Sequence, residues 1–195
     1  MAVAALTPRE VAELAGTPKR VVEKAIEERV LPVRSSRRGA GNGRRLLSTH
    51  AVVYATLVSK LDLKLSAALK RRFYGRIAAL KPAELKRAKV ELVQAVEVDV
   101  GRLAGDVLDR AERYLAVRDA WIQLDRRIMG GTPVIRGTRM TVYSVLGRVE
   151  HGDTVADILS DNPDVEREAV EAAITYARTH PAMGRPTGRP WSEAA

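Results

Sequence analysis

The chain has no cysteine in 195 residues, one phenylalanine and two tryptophans. Without cysteine there are no disulfides, no thiolate metal sites and no Cys–His catalysis, a composition that fits a reducing compartment. Histidine is almost as scarce. His50, His151 and His180 are scattered, and none has a second histidine within ligand spacing, so no metal site is expected. A Gly-x-Ser-x-Gly nucleophile elbow is missing, and neighbouring acids such as Glu27-Glu28 point apart on a helix. The chain is therefore not expected to be an enzyme or to carry a cofactor. No apolar run approaches a membrane span, and Met1–Leu6 is too short for a signal peptide, so a cytoplasmic protein is expected. Aromatics make up 4%, which leaves the core to Ala, Val, Leu and Ile; at 46% hydrophobic these suffice for one large or two small domains.

What is abundant is positive charge, and it is unevenly placed. The net charge is +9. Residues 1–45 carry 10 Lys/Arg against 5 acids and residues 46–116 carry 13 against 8, whereas residues 117–195 carry 10 against 11. An asymmetry of this kind points to a polyanion partner for the first part of the chain.

Thr7-Pro8-Arg9-Glu10 is a capping box with proline at the first helical position. The helix it opens buries Val11, Ala12 and Leu14 and breaks at Gly16. Thr17-Pro18 begins a second helix, Pro18–Arg29, with Val21, Val22, Ala25 and Ile26 on one face. Two short helices across a glycine turn form a helix-turn-helix pattern, and Lys19, Arg20 and Lys24 are placed to reach phosphates or base edges. Glu23, Glu27 and Glu28 argue for a plain helical hairpin instead, because they would repel a phosphate backbone. Val30–Val33 reads as extended. Arg34 to Arg45 then holds five arginines, three glycines and no acid. Leu46-Leu47 is extended again, and Ser48 caps a helix over 49–63. Helix, helix, strand, basic glycine-rich loop, strand, helix is the order of a winged helix-turn-helix. It resembles the DNA-binding head of MerR-type regulators, with Arg34, Arg37, Arg38, Arg44 and Arg45 on the wing as phosphate or minor-groove contacts.

From Ser66 to Leu80 a basic helix (Lys70, Arg71, Arg72, Arg76) carries Leu69, Phe73, Ile77 and Leu80 at helical spacing, with Phe73 read as core. Pro82 restarts a short helix. Val90, Leu92, Val96, Val98 and Val100 alternate with acids, which predicts one strand ended by Gly101. Leu103, Val107, Leu108, Ala111, Tyr114 and Leu115 predict an amphipathic helix. Ala120–Leu124 reads as extended.

The most specific stretch is Arg126 to Val142. Gly130-Gly131 and Thr132-Pro133 are turn chemistry, and no lysine follows at P-loop spacing. Val134-Ile135 and Arg139-Met140 around Arg136-Gly137-Thr138 predict a small hairpin. Thr141 caps a helix bearing Val142, Val145, Leu146 and Val149. A second short helix starts at the capping box Thr154–Asp157 and stops at Asn162-Pro163. A third, capped by Asp164, turns Val165, Ala169, Val170, Ala173, Ile174 and Ala177 inward. Gly-Gly-Thr-Pro-Val-Ile-Arg-Gly-Thr-Arg with these helices, through Thr175-Tyr176-Ala177, resembles a bacterial and archaeal family first catalogued as a domain of unknown function and now regarded as VapB-like antitoxins. The resemblance spans about residues 119–180. It implies a helix-turn-helix-like module whose partner toxin is a PIN-domain ribonuclease.

Past Thr179, three prolines and two glycines within 180–191 cannot form a packed element. Antitoxins of the resembled class use such tails to occlude the toxin, which makes Arg185, Arg189 and Trp191 the expected partner contacts, the arginines pairing with nuclease carboxylates. Four segments are expected in a mainly α (α+β) protein: a winged helix-turn-helix head (1–65), a connector or dimerisation segment (66–118), a β-hairpin-plus-three-helix module (119–180) and a flexible toxin-binding tail (181–195). The expected function is that of a type II antitoxin and autorepressor, a homodimer binding promoter DNA. The rivals are a stand-alone MerR-type transcription regulator and a non-specific RNA-binding or nucleoid protein. The operator sequence and the particular toxin are not legible, since phosphate contacts carry no sequence information.

Overall fold

Thr7 opens the first helix as its sequence suggests. Its hydroxyl accepts from the Glu10 amide, and the Glu10 carboxylate accepts from the Thr7 amide at 2.7 Å. The computed structural model describes residues 5–36 and 44–182. Helix α1 (Pro8–Ala15) ends at Gly16, whose φ of +63° only glycine adopts freely, and α2 (Lys19–Glu27) follows after Thr17-Pro18.

The expected extended run at Val30–Val33 is not a strand. Arg29 turns the chain at φ +55°, the Val30 and Leu31 amides both donate to the Ala25 carbonyl, and the two side chains enter the core. Two adjacent apolar residues both sought the interior, so they close α2 rather than alternating across a sheet. The strand comes next, inside the stretch read as a loop. β1 (Arg34–Ser36) pairs antiparallel with β2 (Arg44–Leu46). Leu47 then exchanges backbone hydrogen bonds with Leu6 at 2.8 and 2.9 Å, which fastens the hairpin base to the start of α1.

Helix α3 (Thr49–Leu61) is buried on nearly every side through its first two turns. α4 (Ala67–Ala79) inserts Phe73 and Ile77, both fully buried, and Tyr74 stands edge-on to Tyr54. α5 (Pro82–Leu85) leads to a second departure from expectation. Residues 90–100 form not one strand but a hairpin, β3 (Lys89–Val93) against β4 (Val96–Asp99), folded back at Gln94-Ala95 with Ala95 at φ +64°. Alternation continues on both legs, so the period-two signal hid the turn. Gly101 does not end a strand; it lies in α6 (Val100–Trp121), where a Cβ would come 2.3 Å from the Lys86 carbonyl oxygen.

Residues 120–121, expected to be extended, are the last of α6; extension begins at β5 (Ile122–Gln123). A 3-10 turn (Met129–Gly131) precedes β6 (Val134–Ile135). The expected hairpin with Arg139-Met140 is only half formed. The Ile135 amide does donate to the Met140 carbonyl, but β6 takes β5 as its strand partner. Helices α7 (Val142–Glu150), α8 (Val155–Asp161) and α9 (Arg167–Thr179) follow. Thr141 and Thr154 cap α7 and α8 with their hydroxyls, whereas Glu166, not Asp164, precedes α9. Asp164 sits too early because Pro163 and Val165 first complete a turn that buries Val165.

The protein is mainly helical, α+β, with three two-stranded antiparallel sheets among the described residues. Its buried side chains form two clusters. Among the described residues, the N-terminal core runs from Leu6 to Leu115 and includes every buried aromatic but Tyr176; the C-terminal core runs from Ile122 to Ala177. Helix α6 packs along α3 in the first, and α9 crosses from the second to lie on α6 and α1. Among the described residues no helix is long and apolar enough to cross a membrane.

Candidate nucleic-acid and partner interface

The basic side chains of α2 depend on how α1 is held. Glu10, in the first turn of α1, is 1% exposed at its side chain and accepts from the Tyr114 hydroxyl at 2.8 Å and from Arg118 Nη1 at 2.9 Å. Burial alone would push the Glu10 carboxyl up. The Arg118 guanidinium, the Thr7 amide and the Tyr114 hydroxyl outweigh it and hold the group below its ordinary 4.5. Burial, with Glu10 beside it, pushes the Tyr114 hydroxyl far up, which keeps it a donor. Arg118 also reaches the Ala5 carbonyl, and Arg110 the Leu14 carbonyl, so α6 grips both ends of α1. Sequence reading found Glu10 only as a capping residue; nothing local in the sequence marks a partner more than a hundred positions away.

On this base α2 exposes Lys19, Arg20 and Lys24, while Arg34 and Arg45 are exposed on the hairpin. Lys19 is engaged by Glu23 at 2.6 Å. The glutamates that argue against a phosphate partner are partly neutralised. Glu28 is paired with Lys70 of α4 at 2.7 Å, and Arg71 donates to its backbone carbonyl. Helix α4 thus adds basic groups beside the end of α2, a neighbourhood that the basic run 70–76 hinted at without locating. Lys24, Lys64 and Lys70 surround a groove of about 510 Å³ between α2, α3 and α4, whereas Arg45 faces a different recess. Arg44 pairs through its backbone with Ser36. Arg37, Arg38, Arg185, Arg189 and Trp191 lie outside the described residues.

In the C-terminal core, the Gly-Gly motif is a tight surface turn. Ile128, Gly131 and Thr132 amides donate to the carbonyls of Asp125, Ile128 and Met129, with Met129, Gly130 and Gly131 all at positive φ. Arg136 is held: its amide donates to the Trp121 carbonyl at 2.7 Å and its Nε to the Ala120 carbonyl at 2.6 Å, closing the C-terminal end of α6 with a cation where the helix dipole favours one. Arg126, Arg127 and Arg139 are exposed around the turn, together with Leu124 at 56% and Met129 at 45% exposure. Arg148 clamps the far side, donating to Asp153 at 2.5 Å and Asp161 at 2.6 Å.

The two cores meet at an open cleft of about 840 Å³. Thr7, Pro8 and Arg45 line it from one side, and Leu124, Gly130–Pro133, Tyr143 and Tyr176 from the other. His180 stacks on Tyr176 with ring centroids 4.0 Å apart, and Tyr143 donates to the His180 carbonyl. His50 and His151 each bond a backbone carbonyl. Among the described residues no three His, Asp or Glu side chains gather as a metal site.

Residues 122–177 match the model of a family described as a protein of unknown function, DUF433. Over 194 residues the chain is 26% identical to the uncharacterized protein y4eO of Sinorhizobium fredii (strain NBRC 101917 / NGR234), covering 92% of this chain and 83% of that protein. No solved structure matches it.

Proposed function

We propose that this protein is the antitoxin of a type II, VapBC-like toxin–antitoxin pair that binds a PIN-domain ribonuclease and represses its own operon. The observation that carries the reading is the surface turn in the family-matched segment. It combines exposed Arg126, Arg127 and Arg139 with exposed Leu124 and Met129, suited to a partner whose site is a cluster of carboxylates beside apolar surface. The order α1, α2, hairpin, α3 with its exposed basic residues supports a winged helix-turn-helix that contacts promoter DNA as a homodimer.

The test is co-purification from the native host of the tagged full chain, beside a version ending at Thr179. A small PIN-like nuclease retained by the full chain supports the antitoxin reading; its loss on truncation assigns the contact to Arg185, Arg189 and Trp191. A stand-alone regulator is the second reading, favoured by the cleft that joins Arg45 of the hairpin to the motif turn. It is the outcome if promoter DNA is retained and no nuclease is.

A further inference from the structure

Helices α2, α3 and α4 do not close completely on one another. The groove of about 510 Å³ between them has the size of a small-molecule site, and Val21, Ala25, Val58, Leu63 and Leu65 give it apolar walls. Tyr54 lines it as well, although the residue is only 1% exposed. Its ring is held edge-on by Tyr74 and tilted against Phe73. Its hydroxyl, however, makes no hydrogen bond among the described residues, and it is not sealed in the interior, so it opens on the groove. A tyrosine this buried ordinarily has a partner for its hydroxyl. Burial, with the Glu28 carboxylate nearby, pushes the group far up, which keeps it a donor. We propose that this groove binds an organic monocarboxylate with an apolar body, which accepts from the Tyr54 hydroxyl through a neutral oxygen and sets its carboxylate at the rim with Lys24 and Lys64.

The charges select that ligand. Lys24, Lys64 and Lys70 line the groove against Glu28 and Asp62. Glu28 and Lys70 are largely buried and pair at 2.7 Å, so they cancel each other and leave no spare cation in the depth for a carboxylate to meet. The acceptor that reaches Tyr54 is therefore a neutral oxygen. At the rim Lys24 and Lys64 are exposed, and neither is in an ion pair among the described residues. Asp62 is the one acid facing them, which leaves an excess of one positive charge at the mouth. A single carboxylate matches that excess, and the aliphatic walls between mouth and floor take the apolar body. The site ties the second half of α2 to the start of α4 through its ligand. This inference goes beyond the antitoxin reading and stands without it.

The test titrates 4-oxo-4-phenylbutyrate, an aryl ketone with one carboxylate, into the full chain alone and follows backbone amide NMR shifts. Saturable shifts centred on residues 21–28, 54–65 and 70 are expected. The methyl ester, which lacks the charge, should bind about five-fold more weakly, and 4-phenylbutyrate, which lacks the ketone oxygen, about five-fold more weakly. Tyr54→Phe should melt no lower than the unaltered protein, because the hydroxyl it removes bonds nothing, and should bind the two acids equally. Lys24→Gln combined with Lys64→Gln should erase the preference for acid over ester. The absence of saturable shifts at the groove overturns the proposal. So does an ester that binds the unaltered chain as well as the acid, or a ketone preference that survives Tyr54→Phe. No nuclease or DNA is present, so either result stands apart from the antitoxin reading.

Discussion

In the N-terminal core a charged pair lies inside: the Glu10 side chain is 1% exposed and its partner Arg118 17%. Every ion pair within 122–177 among the described residues lies at the surface, from Arg127–Asp125 to Arg148 with Asp153 and Asp161 and Arg167–Glu171. Exposed pairs are worth about 0–1 kcal/mol, whereas removing one partner of a buried pair costs about 3–5 kcal/mol. The first region is therefore stapled through a few irreplaceable groups. The second rests on a smaller aliphatic cluster and on threonine caps, each of which can be lost singly. The turn proposed to bind a partner sits on the second kind of scaffold, where a region not held by irreplaceable groups opens locally at lower cost.

Arg118→Met should break this contrast most severely. It strands the Glu10 carboxylate in the interior and should lower unfolding free energy by about 3–5 kcal/mol in urea titrations; adding Glu10→Gln should recover much of the loss. Gly101→Ala forces a methyl against the Lys86 backbone carbonyl and should cost about 1–3 kcal/mol by the same titration. In the C-terminal region Thr154→Ala removes the α8 cap and should cost about 1 kcal/mol. Hydrogen exchange should show the effect in α7 and α8 and leave α3 and α6 unchanged. The pH dependence sharpens the contrast further. The folded Glu10 pKa lies below its ordinary 4.5, so its contribution is fully present above that pH and is lost as pH falls through the depressed value. Thermal melts should show acid destabilisation that Glu10→Gln abolishes. The smallest effect is expected from Arg20→Ala together with Arg34→Ala. Stability should hold within about 0.5 kcal/mol, while, on the proposed DNA-binding reading, the salt slope of promoter binding falls by roughly two.

Much of the self-contained local chemistry was legible in the sequence, although the Asp164 cap and the extended reading of Val30–Val33 were not borne out. The capping boxes at Thr7 and Thr154, the break at Gly16, the Thr141 cap and the inward face of α9 each depend on residues within one turn of each other. Pairing that depends on distant chain was not. β6 chose β5 over its neighbour 139–140 because the end of α6 delivers Ile122 beside Ile135. The hairpin at 89–99 was hidden because both legs alternate in the same phase. For the interface, the exposed lysines and arginines of α2 and of the hairpin were readable as surface. That Glu28 is neutralised by Lys70, and that Arg45 and Lys24 face separate recesses, follows only from the packing of α4 and of the two cores.

Arg136 has a consequence for how this protein divides. Its guanidinium and its amide close the last carbonyls of α6, at Ala120 and Trp121, although the family-matched segment starts only at residue 122. What recurs as an inherited segment and what can stand as a folding unit therefore have different borders. Cut at residue 122, the segment would keep the arginine and lose the helix end that the arginine completes. An autonomous fragment has to start inside α6, carrying at least its final turns.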